Sequence, residues 1–106
     1  MNAAGKYNDV LRPFVAFMET ELHANCSKGD RPGWLTMSPE QGLLEIYWHT
    51  AKLSAAVKNN DATLIREYSA DVANMAMMLL DVCGGLPQSV QPPASPSLGD
   101  SVKKEI

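Results

Sequence analysis

Apolar residues recur along this chain in three stretches separated by polar turns. Leu11, Phe14, Val15, Met18 and Leu22 follow one another at spacings of three and four, which marks one face of a helix. Proline is tolerated only in a first helical turn, so Pro13 places that helix at about 11–25, with Asp9 or Arg12 near its cap. Residues 1–8 then read as a loose arm. The stretch NCSKGDRPGWLTM, residues 25–37, combines Gly, Pro, Ser and Asp and reads as a loop. SPEQ at 38–41 is a helix start: Ser38 caps, Pro39 suits the first position, and Gln41 reaches back as in a capping box.

The second helix runs to about Val57 and carries two apolar stripes. Leu44, Tyr47, Trp48, Ala51 and Ala55 form one, and Leu43, Ile46, Leu53 and Val57 the other. Such a helix is predicted to be buried on more than one face, which implies pairing with a second copy. Asp61 caps a third helix reaching Cys83, whose apolar stripe is Leu64, Tyr68, Val72, Met75, Leu79 and Val82. Gly84, Gly85, Leu86 and Pro87 stop it. Met75, Met77 and Met78 read as helix–helix packing, and His23 as a surface residue. Residues 86–106, with four prolines and several serines, read as an extended or disordered tail. The expected fold is all-α: an N-terminal helix and a helical hairpin in a domain over 1–85, assembling as a dimeric bundle.

Composition narrows the function classes. At 106 residues and 45% apolar content the chain has room for one domain with a modest core. A net charge of −3 and no Lys/Arg cluster leave no electrostatic footprint for nucleic acid. No apolar run approaches the ~18 residues a membrane span needs, and the expected location is cytoplasmic. Cys26 and Cys83 lack metal-ligand spacing and read as thiols, Cys83 as a packing residue on an apolar face.

Each helix of the hairpin also carries a polar line: Glu45, His49 and Lys52 on the second, Glu67, Asp71 and Asn74 on the third. Consecutive helices joined by a short turn pack antiparallel. With the turn near residue 61, positions summing to about 123 face each other, which sets Lys52 beside Asp71 and His49 beside Asn74. Polar groups converging between apolar helices must satisfy one another or hold something charged. Two readings follow. In one, Glu67, Asp71 and Glu45 supply oxygen ligands and His49 a nitrogen ligand to a divalent metal that leaves positions for substrate phosphates. In the other, Lys52 pairs with Asp71 or Glu67, Glu45 pairs with His49, and no ion enters.

The Gly-Trp loop, the capped helix with acidic groups and the segment ADVANMAMML together resemble the all-α nucleoside triphosphate pyrophosphohydrolases of the MazG type, especially small phage-encoded members. The resemblance covers residues 28–85. It implies a Mg²⁺ site built from Glu-x-x-Glu and Glu-x-x-Asp motifs, a dimer or larger bundle, and cleavage of a nucleotide between its α and β phosphates. Asp71 matches the final aspartate of the second motif and Asn74 a polar partner one turn later. Tyr68, His49 and Lys52 stand where the other three carboxylates belong. Glu45 and Glu67 compensate, giving an expected metal set of Glu45, His49, Glu67 and Asp71 for Mg²⁺, or for Mn²⁺, which imidazole favours. Lys28, Arg31 and Trp34 in the loop, with Lys52 and Asn74, are the expected substrate contacts: cations meet phosphates and a base stacks on the indole, unless Trp34 serves only to pack the loop against the bundle. The alternative is a catalytically inactive member that uses the bundle as a protein-binding module, such as a phage inhibitor of a host or defence complex.

Overall fold

In the computed structural model, which describes residues 3–87, the chain is all-helical: α1 Ala3–Lys6, α2 Asn8–Ala24, a 3-10 turn Gly33–Thr36, α3 Pro39–Lys58 and α4 Ala62–Val82. Helices α3 and α4 form an antiparallel hairpin, and α2 packs on α4. The tail expected at 86–106 lies outside the described residues except for Leu86 and Pro87.

The hairpin's ends follow local chemistry. Ser38 Oγ accepts from the Gln41 amide at 3.0 Å, and Asp61 Oδ1 accepts from the Leu64 amide at 3.1 Å, so each helix begins with one free backbone donor satisfied. The Gln41 side chain does not complete the capping box. It donates forward to Glu45 Oε2 at 2.8 Å. At the end of α4 the chain turns left-handed at Gly84 (φ 75°), and Gly85 N–H bonds back to the Leu80 carbonyl, the glycine-terminated stop the sequence predicts.

Two expectations about the first helix are corrected. It begins at Asn8 rather than 11, and a one-turn helix occupies part of the predicted loose arm. Pro13 therefore sits inside α2, beyond the first turn, where it removes the hydrogen bond that would reach back to Asp9. The surrounding residues are exposed, so water meets the freed carbonyl group.

Close approach of the hairpin rests on Gly42, which is buried. A Cβ there would stand 3.2 Å from Leu79 Cδ1 and 3.3 Å from Met37 Cε. The core is thin. Ala56 and Ala70 are the buried apolar side chains, and no large side chain is fully buried among the described residues. Helix α3 is thus not covered on two faces within one chain: Leu44, Tyr47 and Trp48 are exposed, and the burial expected of that face is the part assigned to a second copy. Cys83 is exposed at the α4 C-cap instead of packed.

Candidate functional site

A cavity of about 770 Å³ opens between α2, the 25–37 loop and the hairpin. Its wall contains Glu45, His49 and Lys52 from α3, and Glu67, Asp71 and Asn74 from α4. Lys28 and Trp34 of the loop complete it, together with Met75 and Met78. The two polar lines thus do converge, although the hairpin register differs slightly from the expected sum of 123: Gly42 lies against Leu79, and Lys52 faces Tyr68.

Within this cavity the charged groups sort into two sets. Glu67 and Asp71, one helical turn apart on α4, are joined by Glu21 from α2, and one carboxylate oxygen from each lies within 4.8 Å of the others. Glu45 and His49 form the second set across the cavity. His49 Nδ1 is 2.8 Å from the Glu45 backbone carbonyl, so Nδ1 carries the donated proton and Nε2 is left free. The Glu45 carboxylate is 4.0 Å from the ring and accepts from Gln41. Glu45 and His49 therefore do not share a ligand cluster with Glu67 and Asp71, and Glu21 takes the third place.

Lys52 does not neutralise the carboxylates. Its ammonium lies 6.0 Å from the centre of the Tyr68 ring, and no ion pair within 4.0 Å forms between it and any described acid. Burial raises the Glu21 carboxyl above its ordinary value, the charges of Asp71 and Glu67 raise it further, and a hydrogen bond with Asp71 adds to this; an opposing hydrogen bond from Asn25 is smaller.

Asn74, one turn beyond Asp71, is buried with 4% exposure and lines the same cavity. Its Nδ2 donates to the Met18 carbonyl of α2 at 3.0 Å, which fixes the amide orientation. Its Oδ1 has no hydrogen-bond partner among the described residues. An unpaired buried acceptor costs about 1–3 kcal/mol, so this oxygen marks a place where a cation or a donor would be held.

The loop is anchored at the far end of α4. Arg31 Nε and Nη2 meet both Asp81 oxygens at 2.7 and 3.1 Å, and Trp34 Nε1 donates to Asp81 Oδ2 at 2.9 Å. These bonds hold the Asp81 carboxyl below its ordinary value, the Arg31 bond most of all. Arg31 is thereby engaged with Asp81 and lies outside the cavity wall, whereas the Trp34 ring lines it.

Glu21 was absent from the sequence-predicted ligands. The signal was present: it lies three residues after Met18 and beside Leu22, an acid set within the apolar stripe of α2. No family model, curated protein or solved structure matches this chain.

Proposed function

We propose that the cavity binds a divalent cation on Glu21, Glu67 and Asp71 together with the phosphates of a ribo- or deoxyribonucleoside triphosphate. The observation that carries this reading is three clustered carboxylates with no cationic partner among the described residues, in the cavity that the orphaned Asn74 side chain also lines. The donor set suits a hard cation. Mg–O bonds are ~2.1 Å, so oxygens on opposite sides of one ion stand about 4 Å apart, compatible with the cluster's span. All-oxygen ligation favours Mg²⁺ or Mn²⁺ over softer metals.

A cation bound there would polarise the phosphoryl oxygens and lower the pKa of bound water. The chain's own residues supply the rest. Lys28 and Lys52 bring positive charge to the cavity rim for the phosphates, His49 Nε2 offers a free lone pair for a proton, and the Trp34 ring gives a stacking surface for the base. This agrees with the resemblance to MazG-type pyrophosphohydrolases, with the metal site rearranged onto α2 and α4, and the reaction it implies is cleavage between the α and β phosphates.

A second reading is nucleotide binding without turnover. It is favoured by the absence of any α3 carboxylate from the acidic cluster, which leaves one wall without a metal ligand. A panel of nucleoside triphosphates incubated with Mg²⁺ and with Mn²⁺, products resolved by chromatography beside Asp71→Asn, separates the two. Monophosphate and pyrophosphate lost in Asp71→Asn support hydrolysis; metal-dependent binding with intact triphosphate supports the second reading. Failure to bind any triphosphate in the presence of either metal overturns both.

A further inference from the structure

The solvent side of α3 is a self-complementary surface. Leu44, Tyr47, Trp48, Ala51 and Ala55 recur at spacings of three and four, and all are exposed. Successive residues turn by about 100°, which sets this stripe diametrically opposite Gly42, Leu53 and Ala56, the side of α3 that faces α4. Tyr47 is 64% exposed, Trp48 62% and Leu44 53%. At ~150–250 Å² per aromatic side chain, the first two alone place about 250 Å² in water. Leu44 and the two alanines extend this stripe, and a contiguous exposed apolar face of a few hundred Å² marks an interaction surface.

Charge completes the pattern. The same stripe begins at Glu40 and ends at Lys58, both exposed. An acid at one end and a base at the other make the face complementary to its own reversed copy. A two-fold axis at the level of residue 49 sets Glu40 opposite Lys58 of a second copy and Tyr47 opposite Ala51. Large side chains thus meet small ones, as close helix packing requires. A parallel pairing would instead set Trp48 on Trp48 and Glu40 on Glu40.

We infer that α3 pairs antiparallel with α3 of a second copy through this stripe, with Glu40–Lys58 ion pairs at both ends. The thin core of the single chain fits this, because a stable dimer of ~800 Å² per partner buries the apolar surface that one copy leaves exposed. Trp48 also walls a hollow of about 390 Å³ with Glu45, His49 and Lys52, three residues of the large cavity's rim. The second copy therefore closes the α3 side of the candidate site. The inference is independent of the cation and nucleotide reading.

The test is mass by sedimentation of the full chain from about 1 to 100 µM, with far-UV circular dichroism for folding. The wild type is expected as a dimer and Trp48→Arg as a folded monomer. Glu40→Lys and Lys58→Glu should each weaken the dimer about tenfold, since each creates two like-charge pairs, and the double variant should recover wild-type affinity. If Trp48→Arg does not fold, the charge series decides. A monomer at 100 µM, a folded Trp48→Arg dimer, or a double variant no tighter than the singles overturns the pairing.

Discussion

Glu21 on α2 and Asp71 on α4 bring one carboxylate oxygen each to within 4.8 Å of one another, with Glu67 in the same cluster and no cation among the described residues to separate the three charges. The contact joins the N-terminal helix to the hairpin through repulsion that something must relieve: a shared proton at low pH, or a divalent ion at neutral pH. Replacing one acid by its amide relieves it permanently. Glu21→Gln and Asp71→Asn are therefore expected to raise the melting temperature of the metal-free protein while abolishing the rise that Mg²⁺ or Mn²⁺ produces in the wild type. At a hundredfold excess over its dissociation constant the ion contributes about 2.7 kcal/mol. Melting curves with and without metal check both halves of the expectation.

Stability should depend on pH with opposite signs at two carboxyls. Glu21 titrates above its ordinary 4.5, so its stabilising contribution is full below that value and is lost as pH rises through the raised one. Asp81 titrates below its ordinary 3.8, so its contribution is present above that value and is lost as pH falls through the lowered one. For these two groups the metal-free optimum lies near pH 4, between the windows. Glu21→Gln should flatten the loss on the alkaline side and Asp81→Asn the loss on the acid side, as read from denaturant midpoints across pH.

All three main helices and the α3–α4 hairpin were legible in the sequence because apolar spacing, the Ser38 and Asp61 caps and the Gly84 stop act locally. The convergence of Glu67, Asp71 and Asn74 with His49 and Lys52 was legible too, since a short turn leaves little freedom in how two helices face each other. Three things were not. The start of α2 was misplaced because the proline rule assumes a helix interior that must keep every hydrogen bond, whereas water serves an exposed α2. Glu21 was missed because its partners are on a helix far along the chain, and no local spacing reports how α2 docks on α4. The Lys52–Asp71 pair expected from register failed for a similar reason: a small shift along the hairpin carries Lys52 to the Tyr68 ring.

Trp34 serves both the loop anchor and the cavity wall, and substitution separates the roles. Trp34→Phe keeps an aromatic face but loses the Nε1 bond to Asp81, at a cost of about 1 kcal/mol. Asp81→Asn weakens both loop anchors and should cost more than Trp34→Phe. Trp34→Ala should abolish nucleotide binding while leaving helicity unchanged. Titration with a fluorescent triphosphate beside circular dichroism distinguishes these outcomes.

Gly42 sets how closely α3 approaches α4. The atoms a Cβ would meet are the flexible ends of Leu79 and Met37, so Gly42→Ala is expected to be near neutral, the gain of about 1 kcal/mol in helix propensity offsetting the crowding. Gly42→Leu has no such room and should cost about 1–3 kcal/mol by forcing the helices apart. Urea unfolding of the two variants tests the difference in sign and size.

Asn74 offers the sharpest separation between a structural amide and one facing a cation. In Asn74→Asp the donor to the Met18 carbonyl is lost and a fourth negative charge enters beside Glu21, Glu67 and Asp71, at a buried position. An uncompensated buried charge costs about 3 kcal/mol or more, so the metal-free variant should melt well below the wild type. If the orphaned Oδ1 faces a bound cation, the added carboxylate gives that cation a further charged ligand, and Mg²⁺ or Mn²⁺ should raise the melting temperature of Asn74→Asp by more than that of the wild type. A variant destabilised equally with and without metal would place Asn74 in the docking of α2 on α4 alone and remove it from the site.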